Sequence, residues 1–406
     1  MKLSKGIPMR PREARVIYLS CLTCILLLMR ALGYSVWLHS DVYTSPPVRK
    51  RRRHAHEPKR PQQWRKFVDA ERAAFPPPGP TIDENRRRLI AGNAKTADIP
   101  LAIEFLQSFM CLCTDYREIN IHVIVSDLSE HELFCSALDD LAPCRERFSI
   151  FPVPPGNYQT IKKLAAAAAL EYDWALWVDS ESIVVQPFSA RRAFGVYARA
   201  PTVWRSRLAN RDSMRAIMRD AAGVLRLADD TFGPDFWNLE SQQWMVEKAV
   251  LDDLVWHVEA AHGQDFWAVW AAHGGPFEVN LYNLHVHSRK LETTDPLFRK
   301  YRVLETEMEM GKYSVLEAST QQIKNDMSGT GLLERSFYFL RMPDISQRLS
   351  NMLHDYGIDI YRLDTVEGMV PEEIERFLLD TPVNMLCSAV PPLYEWWKER
   401  NMTIGQ

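Results

Sequence analysis

From Arg86 onward, apolar and polar positions fall into blocks whose period changes along the chain. Arg88 to Asn93 is a short apolar run closing on turn residues, and Pro100 to Cys113 repeats apolar residues at helical spacing. Ile119 to Val125 is an apolar strand that ends at Ser126-Asp127. Ser129 to Leu141 carries acidic residues in its first turn and reads as a helix. Phe148 to Val153 is another short strand, and Thr160 to Leu170, with its run of alanines, is a helix. Trp174 to Val178 is continuously apolar, as a strand buried on both faces must be. This alternation predicts an α/β fold with a mainly parallel, Rossmann-type sheet flanked by helices, whose ligands sit beyond the carboxyl ends of the strands. Asn93, Asp127 and Asp179 stand at such ends. Further on, Trp237 to Val258 and Gln264 to His273 read as helical and Phe277 to Tyr282 as a strand. The main body is thus expected over residues 84–330, followed by a helical C-terminal extension over 331–406 that includes Pro371 to Leu379. The aromatic residues Tyr394, Trp396 and Trp397 are expected to pack the terminus onto the body.

The start of the chain follows other rules. Val16 to Leu38 is interrupted only by Arg30, and at roughly 1.5 Å per residue a helix of that length crosses a hydrocarbon core of about 30 Å. Lys2, Lys5, Arg10, Arg12 and Arg15 precede it, so residues 1–15 read as a cytosolic basic tail and 16–38 as a signal anchor, with the rest of the chain translocated. Arg30 and the run Arg49 to Arg53 speak against that orientation, and a cleaved signal peptide with its core at Val16 to Met29 is the competing reading. Residues 39–83 hold Pro46-Pro47, Pro58, Pro61 and Pro76 to Pro80 among many charges, the composition of an extended stem. Either route leads to the secretory pathway. There Cys111, Cys113, Cys135, Cys144 and Cys387 meet oxidising conditions, with Cys135 and Cys144 the nearest local pair and buried thiols the alternative. Asn401-Met-Thr403 is a single glycosylation tripeptide.

Charge divides the chain at the same place. The formal net charge is −3 over 406 residues, yet residues 1–66 hold 15 Lys/Arg against 3 Asp/Glu, leaving 34 against 49 in the remainder. An acidic body of this kind does not suit the phosphates of nucleic acid. It suits a protein that holds cations or polar substrates.

The candidate chemistry lies in Tyr172-Asp-Trp-Ala-Leu-Trp-Val-Asp179-Ser-Glu181. Two acids two residues apart mean little alone, and Glu305-Thr-Glu307-Met-Glu309 shows the same spacing in a polar run where solvation explains it. Asp179 and Glu181 differ in context, since they end an apolar strand and precede another apolar run. Carboxylates at a sheet edge are costly to bury without a cation, and their hard oxygens suit Mg²⁺ or Mn²⁺ with positions left open for phosphate oxygens. The alternative is a pair of acids capping a turn or the next helix. As a strand-end acid, Asp179 is expected to be exposed.

A strand ending in an Asp-x-Asp-like motif, preceded by Tyr158, Lys162 and Lys163 and by an anchor and stem, resembles the GT-A type nucleotide-sugar glycosyltransferases of the Golgi over roughly residues 86–290. Glu181 stands where the family carries a second Asp. The resemblance implies a GT-A-like fold, a single-pass type II Golgi membrane protein with a lumenal catalytic domain, Mn²⁺ (or Mg²⁺) held by Asp179 and Glu181, and a nucleoside-diphosphate sugar as donor. It further implies a glycan or glycoprotein acceptor, donor contacts from Asn93, Asp127 and Lys163 (or Lys162), and a late metal-binding histidine, His287 before His285. For an inverting transfer, a carboxylate base is implied at Glu240 or Asp265, ahead of Asp235, each beside aromatics able to stack on sugars. For the donor-contact residues and the histidines, ordinary turn, cap, surface and packing roles stand beside these functional ones. Two other functions compete. A glycoside hydrolase draws its two carboxylates from separate elements, unlike Asp179 and Glu181, and a non-catalytic lumenal carbohydrate-binding or scaffold protein needs only the fold. No serine-hydrolase, zinc-protease or phosphate-loop motif is present, and the Cys21/Cys24 spacing falls inside the anchor.

Overall fold

The computed structural model describes residues 87–92, 99–125, 128–138, 148–152, 159–179, 182–205, 212–228, 231, 244–315, 343–358, 361–364 and 383–387, all within the unit His56–Gln406. The expected anchor and stem, and Asn93, Asp127, Glu181, Asp235 and Glu240, lie outside the described residues. Among the described residues no helix is long and apolar enough to cross a membrane.

The protein has a mixed α/β fold built on a small, mainly parallel sheet. Its strands are β1 (Arg87–Gly92), β2 (Asn120–Val125), β3 (Phe148–Pro152), β4 (Trp174–Asp179) and β7 (Met245–Glu247), in the order β3-β2-β1-β4-β7. The first four are parallel and β7 runs antiparallel to β4. Between them run α1 (Ile99–Leu112), α2 (Leu128–Leu138) and α3 (Gln159–Ala169). The chain then continues through β5 (Ser182–Val184), α4 (Ala190–Arg199), β6 (Thr202–Arg205) and α5 (Asp212–Val224). After β7 come α6 (Lys248–His262), α7 (Phe266–Ala272), α8 (Glu278–Glu292), α9 (Pro296–Arg299), β8 (Arg302–Glu305) and α10 (Thr306–Lys312). The described chain ends with α11 (Pro343–Asp355), β9 (Tyr361–Asp364) and β10 (Val383–Cys387).

The alternation of side chains along β4 shows how the core is made. Ala175 and Trp177 face one apolar cluster with α3, α5, α6, α7 and α8, while Leu176 and Val178 face another with α1, Phe134 of α2 and α4. Helices therefore cover both faces, which is why β4 reads as an unbroken apolar run. The alanines at 165–169 are all buried, and their small side chains let α3 lie close against the sheet.

Three elements differ from the sequence-based expectation. Within Trp237 to Val258, Met245–Glu247 is a strand on the edge of the sheet, and the helix starts only at Lys248. Phe277 to Tyr282 is the start of α8, not a strand. Every residue from Glu278 to Ser288 is buried, so this helix has no polar face to reveal a 3.6-residue period, and a short window of it mimics a strand. The expected helical extension also contributes strands: β10 pairs antiparallel with β5 and parallel with β9.

Candidate functional site

The strand order reverses between β1 and β4, because the chain passes from β1 outward to β3 and then returns to β1's other side. Open parallel sheets bind ligands beyond the carboxyl ends of the strands at such a point. Gly92 and Asp179 are register partners there, ending β1 and β4 side by side. Asn93 follows directly in sequence on one side, and Ser180-Glu181 on the other.

Asp179 is 6% exposed, so the expectation of an exposed strand-end acid is corrected. Its burial is compensated by Lys163 of α3, whose Nζ donates to Asp179 Oδ1 at 2.7 Å. The same Nζ stands 2.7 Å from Oε1 of Glu278, the first residue of α8, and 4.8 Å over the ring of Trp244. Lys163 and Glu278 are both fully buried. Burial opposes the Lys163 charge, but the two carboxylates outweigh it and push its pKa above the ordinary lysine value. The helix N-terminus of α8 favours the Glu278 carboxylate electrostatically, while its Oε2 has no hydrogen-bond partner. Two carboxylates thus share one ammonium beneath the carboxyl end of the sheet. Lys163, assigned to the donor from sequence, is spent on this triad, and its neighbour Lys162 is also buried, 3.9 Å from Glu130.

The other candidate residues are not gathered here. Asp265 is the N-cap of α7, its Oδ1 accepting from Trp267 N at 3.0 Å and Ala268 N at 3.4 Å. His285 and His287 lie within α8, and two residues along a helix turn side chains to nearly opposite sides. His285 Nε2 stands 2.8 Å from Asp253 Oδ2, which Arg289 also donates to at 3.1 Å. Burial lowers the His285 pKa to about 4, so the ring is neutral and its N–H donates to the carboxylate as an ordinary hydrogen bond. His287 is lowered to about 4 by burial, with Arg205 and Lys290 adding to the effect. Nine residues of helix set His287 about 13 Å along the axis from Glu278. Among the described residues no group of three His, Cys, Asp or Glu side chains stands close enough to hold a metal.

Elsewhere the structure changes one sequence expectation and bears on another. Glu309, expected to be solvated, is 3% exposed and pairs with Lys312 at 2.7 Å and with the Tyr356 hydroxyl, while Glu305 pairs with Arg205 at 3.4 Å. Cys111 and Cys113 are free thiols, and burial pushes Cys113 up to about 12. Cys144 lies outside the described residues. Sequence reasoning missed Glu278, because the strand assigned to 277–282 hid a helix start.

No family model matches this sequence, and no curated protein matches it. Among solved structures, mouse xyloside xylosyltransferase 1 is 11% identical, covering 57% of this chain and 91% of that one, with a TM-score of 0.31. The mannosyltransferase PcManGT from Pyrobaculum calidifontis, in complex with GDP-Man and Mn²⁺, is 12% identical, covering 84% of this chain and 92% of that one, with a TM-score of 0.28. The 4-diphosphocytidyl-2C-methyl-D-erythritol synthase from Anaerococcus prevotii is 12% identical, covering 56% and 90%, with a TM-score of 0.27. Nucleotide-sugar transferases thus figure among the neighbours, beside a synthase of another kind, and superposition at this level assigns neither a family nor an activity. What the strand order and the buried triad define is a mixed α/β protein with an acidic site at the sheet's switch point.

Proposed function

We propose that this chain is a metal-dependent glycosyltransferase that moves a sugar from a nucleoside-diphosphate donor to a glycan or protein acceptor. The observation that carries the reading is the buried carboxylate of Asp179, ending β4 where the strand order reverses. Two buried carboxylates against one ammonium leave an excess negative charge, and Glu278 Oε2 lacks a hydrogen-bond partner. A divalent cation with a preference for oxygen would offset that excess charge. In this reading Asp179 and Glu181 hold Mn²⁺ or Mg²⁺, and Lys163 fixes the Asp179 carboxylate from behind. His287, far along α8, takes no part in the ligand set. When bound, the ion neutralises charge on the departing nucleoside diphosphate. Asn93 and Asp127 contact the donor. For an inverting transfer Glu240 or Asp265 is the base that accepts the proton of the acceptor hydroxyl, and of the two Asp265 already caps a helix. In the same reading the chain is a single-pass type II Golgi membrane protein anchored by residues 16–38.

The test is a thermal-shift titration of the full chain with UDP, GDP and CMP, each with Mn²⁺ and with chelator. Binding to the folded state alone stabilises by about 2.7 kcal/mol at a hundred times Kd, so one nucleotide should raise Tm in the presence of metal. Asp179→Asn, isosteric and still able to accept from Lys163, should abolish the metal-dependent part while the protein stays folded. A folded parent protein that responds to no nucleotide would instead favour the carbohydrate-binding scaffold.

A further inference from the structure

One cation balances the charge of Asp179, and Lys163 supplies it, yet the triad holds a second carboxylate. Glu278 is fully buried, its Oε1 stands 2.7 Å from Lys163 Nζ, and its Oε2 has no hydrogen-bond partner. A buried oxygen left in that state is costly, so charge balance and packing alone do not account for it. We propose that Glu278 is a positioning residue of the metal site: by sharing the Lys163 ammonium, it keeps negative charge on Asp179 for a divalent cation. The proposal rests on the reading of Asp179 as a ligand of Mn²⁺ or Mg²⁺, and adds to it a residue that does not itself touch the ion.

The geometry makes one ammonium serve two acids. Lys163 Nζ donates to Asp179 Oδ1 at 2.7 Å and stands equally close to Glu278, while the ring of Trp244 lies 4.8 Å away. Lys163 is 0% exposed, so bulk water does not take the place of either acid. A lone Lys163–Asp179 pair would be neutral, and a divalent cation would compete with the ammonium for a carboxylate whose charge is already cancelled. With Glu278 present, two carboxylates and one ammonium carry a net charge of −1. Sites for hard cations gain affinity with the charge of the oxygens that form them. The ammonium separates Glu278 from Asp179, so Glu278 acts on the cation through Lys163.

Glu278 is held firmly enough for this role. It opens α8 shortly after a turn in which Gly274 and Gly275 have φ of 84° and 71°. A Cβ on Gly275 would come 2.7 Å from the Trp270 ring, and one on Gly274 would come 2.8 Å from Asp220 Oδ2, so the turn is packed tightly against α7 and α5. Trp270 Nε1 donates to the Pro276 carbonyl at 3.1 Å, two residues before Glu278. Two left-handed glycines, an indole hydrogen bond and a helix start therefore set where the Glu278 carboxylate lies. Residues that hold a metal's ligands from behind typically cost about 10–100-fold in metal affinity when they are replaced.

The test uses the full chain with Mn²⁺ as the probe, in the presence of whichever of UDP, GDP and CMP the parent binds. Binding is read as loss of the free-ion paramagnetic resonance signal and as a thermal shift. Glu278→Gln keeps the shape of the side chain and still accepts from Lys163, and its Mn²⁺ midpoint should rise about tenfold or more. Combining it with Lys163→Gln removes the ammonium and restores the net charge of −1. That double variant should bind Mn²⁺ about threefold or more tighter than Glu278→Gln alone. A purely structural Glu278 predicts the reverse, because a second buried substitution would loosen the site further. Should Glu278→Gln not fold, the double variant is compared with the parent, and a midpoint within about tenfold of the parent's is expected. An unchanged midpoint in the folded single variant, a double variant no tighter than the single one, or, in the fallback comparison, a larger loss would each overturn the proposal while leaving Asp179 as a metal ligand. A folded parent with no Mn²⁺-dependent response would overturn that ligand reading and this proposal together.

Discussion

At the scale of single residues, the protein places its ionisable groups where burial decides their charge. Asp179 was legible in the sequence because an apolar strand cannot end in an acid without consequence. The partners that stabilise it were not, since Lys163 reads as one of two basic residues on a helix and Glu278 is brought in from a distant segment. His285 gives this scale its measurable consequence. Its pKa falls from the ordinary 6.5 to about 4 because the ring is buried, so the folded state stays neutral where the unfolded chain takes up a proton. Between pH 6.5 and 4 the unfolded state thus binds more protons, and stability falls as pH falls through that window. For this one group the loss amounts to roughly 3 kcal/mol once pH is below both values. His285→Gln retains an N–H donor for Asp253 but cannot titrate. Its unfolding free energy, measured by denaturant melts across pH 4 to 7, should vary less steeply than that of the parent.

At the scale of elements, helix ends show how a distant residue can decide local structure. Ser189 caps α4 in the usual way, its Oγ accepting from Arg192 N at 3.1 Å. A second cap comes from the loop after α1. Asp115 accepts from Ser189 Oγ and Ala190 N at 2.7 Å each, and from Arg191 N at 2.8 Å. Burial opposes its ionisation, but these bonds outweigh burial and hold the carboxyl below the usual range. The loop is held in place by Thr114 N donating to the Phe188 carbonyl at 2.9 Å and Phe188 N donating to the Leu112 carbonyl at 3.1 Å. Asp115→Ala should therefore cost about 1–2 kcal/mol, read as a lower denaturant midpoint with an unchanged slope. No sequence window contains this contact, because Asp115 and α4 are joined only by the fold. The same limit explains the misread start of α8, whose amphipathic signal disappears once neighbours cover it on every side. Strands β2 and β4 were legible because each carries an unbroken run of buried, mainly apolar residues, and the strands β5 to β9 were not, because three or four residues carry too little pattern.

At the scale of the whole molecule, the chain that completes the fold arrives late. The sequence pattern suggests that the body ends near residue 330, yet buried groups beyond that point pack into it. Met385 of β10 joins the apolar cluster of α1, β4 and α4 and is 1% exposed. Leu349, Met352 and Leu353 of α11 are fully buried. Trp204 of β6 meets Tyr356 edge-on with centroids 5.2 Å apart, and Arg302 donates to the Tyr356 carbonyl at 2.9 Å. Burying four such side chains contributes on the order of 6–12 kcal/mol of transfer free energy, comparable with the whole stability of an ordinary domain. A chain ended at residue 330 should therefore lose cooperative thermal unfolding and be digested by protease at concentrations that leave the full chain intact. A chain ended at residue 387, which keeps β10, should retain its sharp transition. If both shortened chains melted as the parent does, the C-terminal strand and helix would be accessories to a body that folds without them. If only the shorter one fails, the segment from 331 to 387 that carries α11 and β10 belongs to the core, and β10 joins it beside Asp179 by pairing with β5, which begins three residues after that acid.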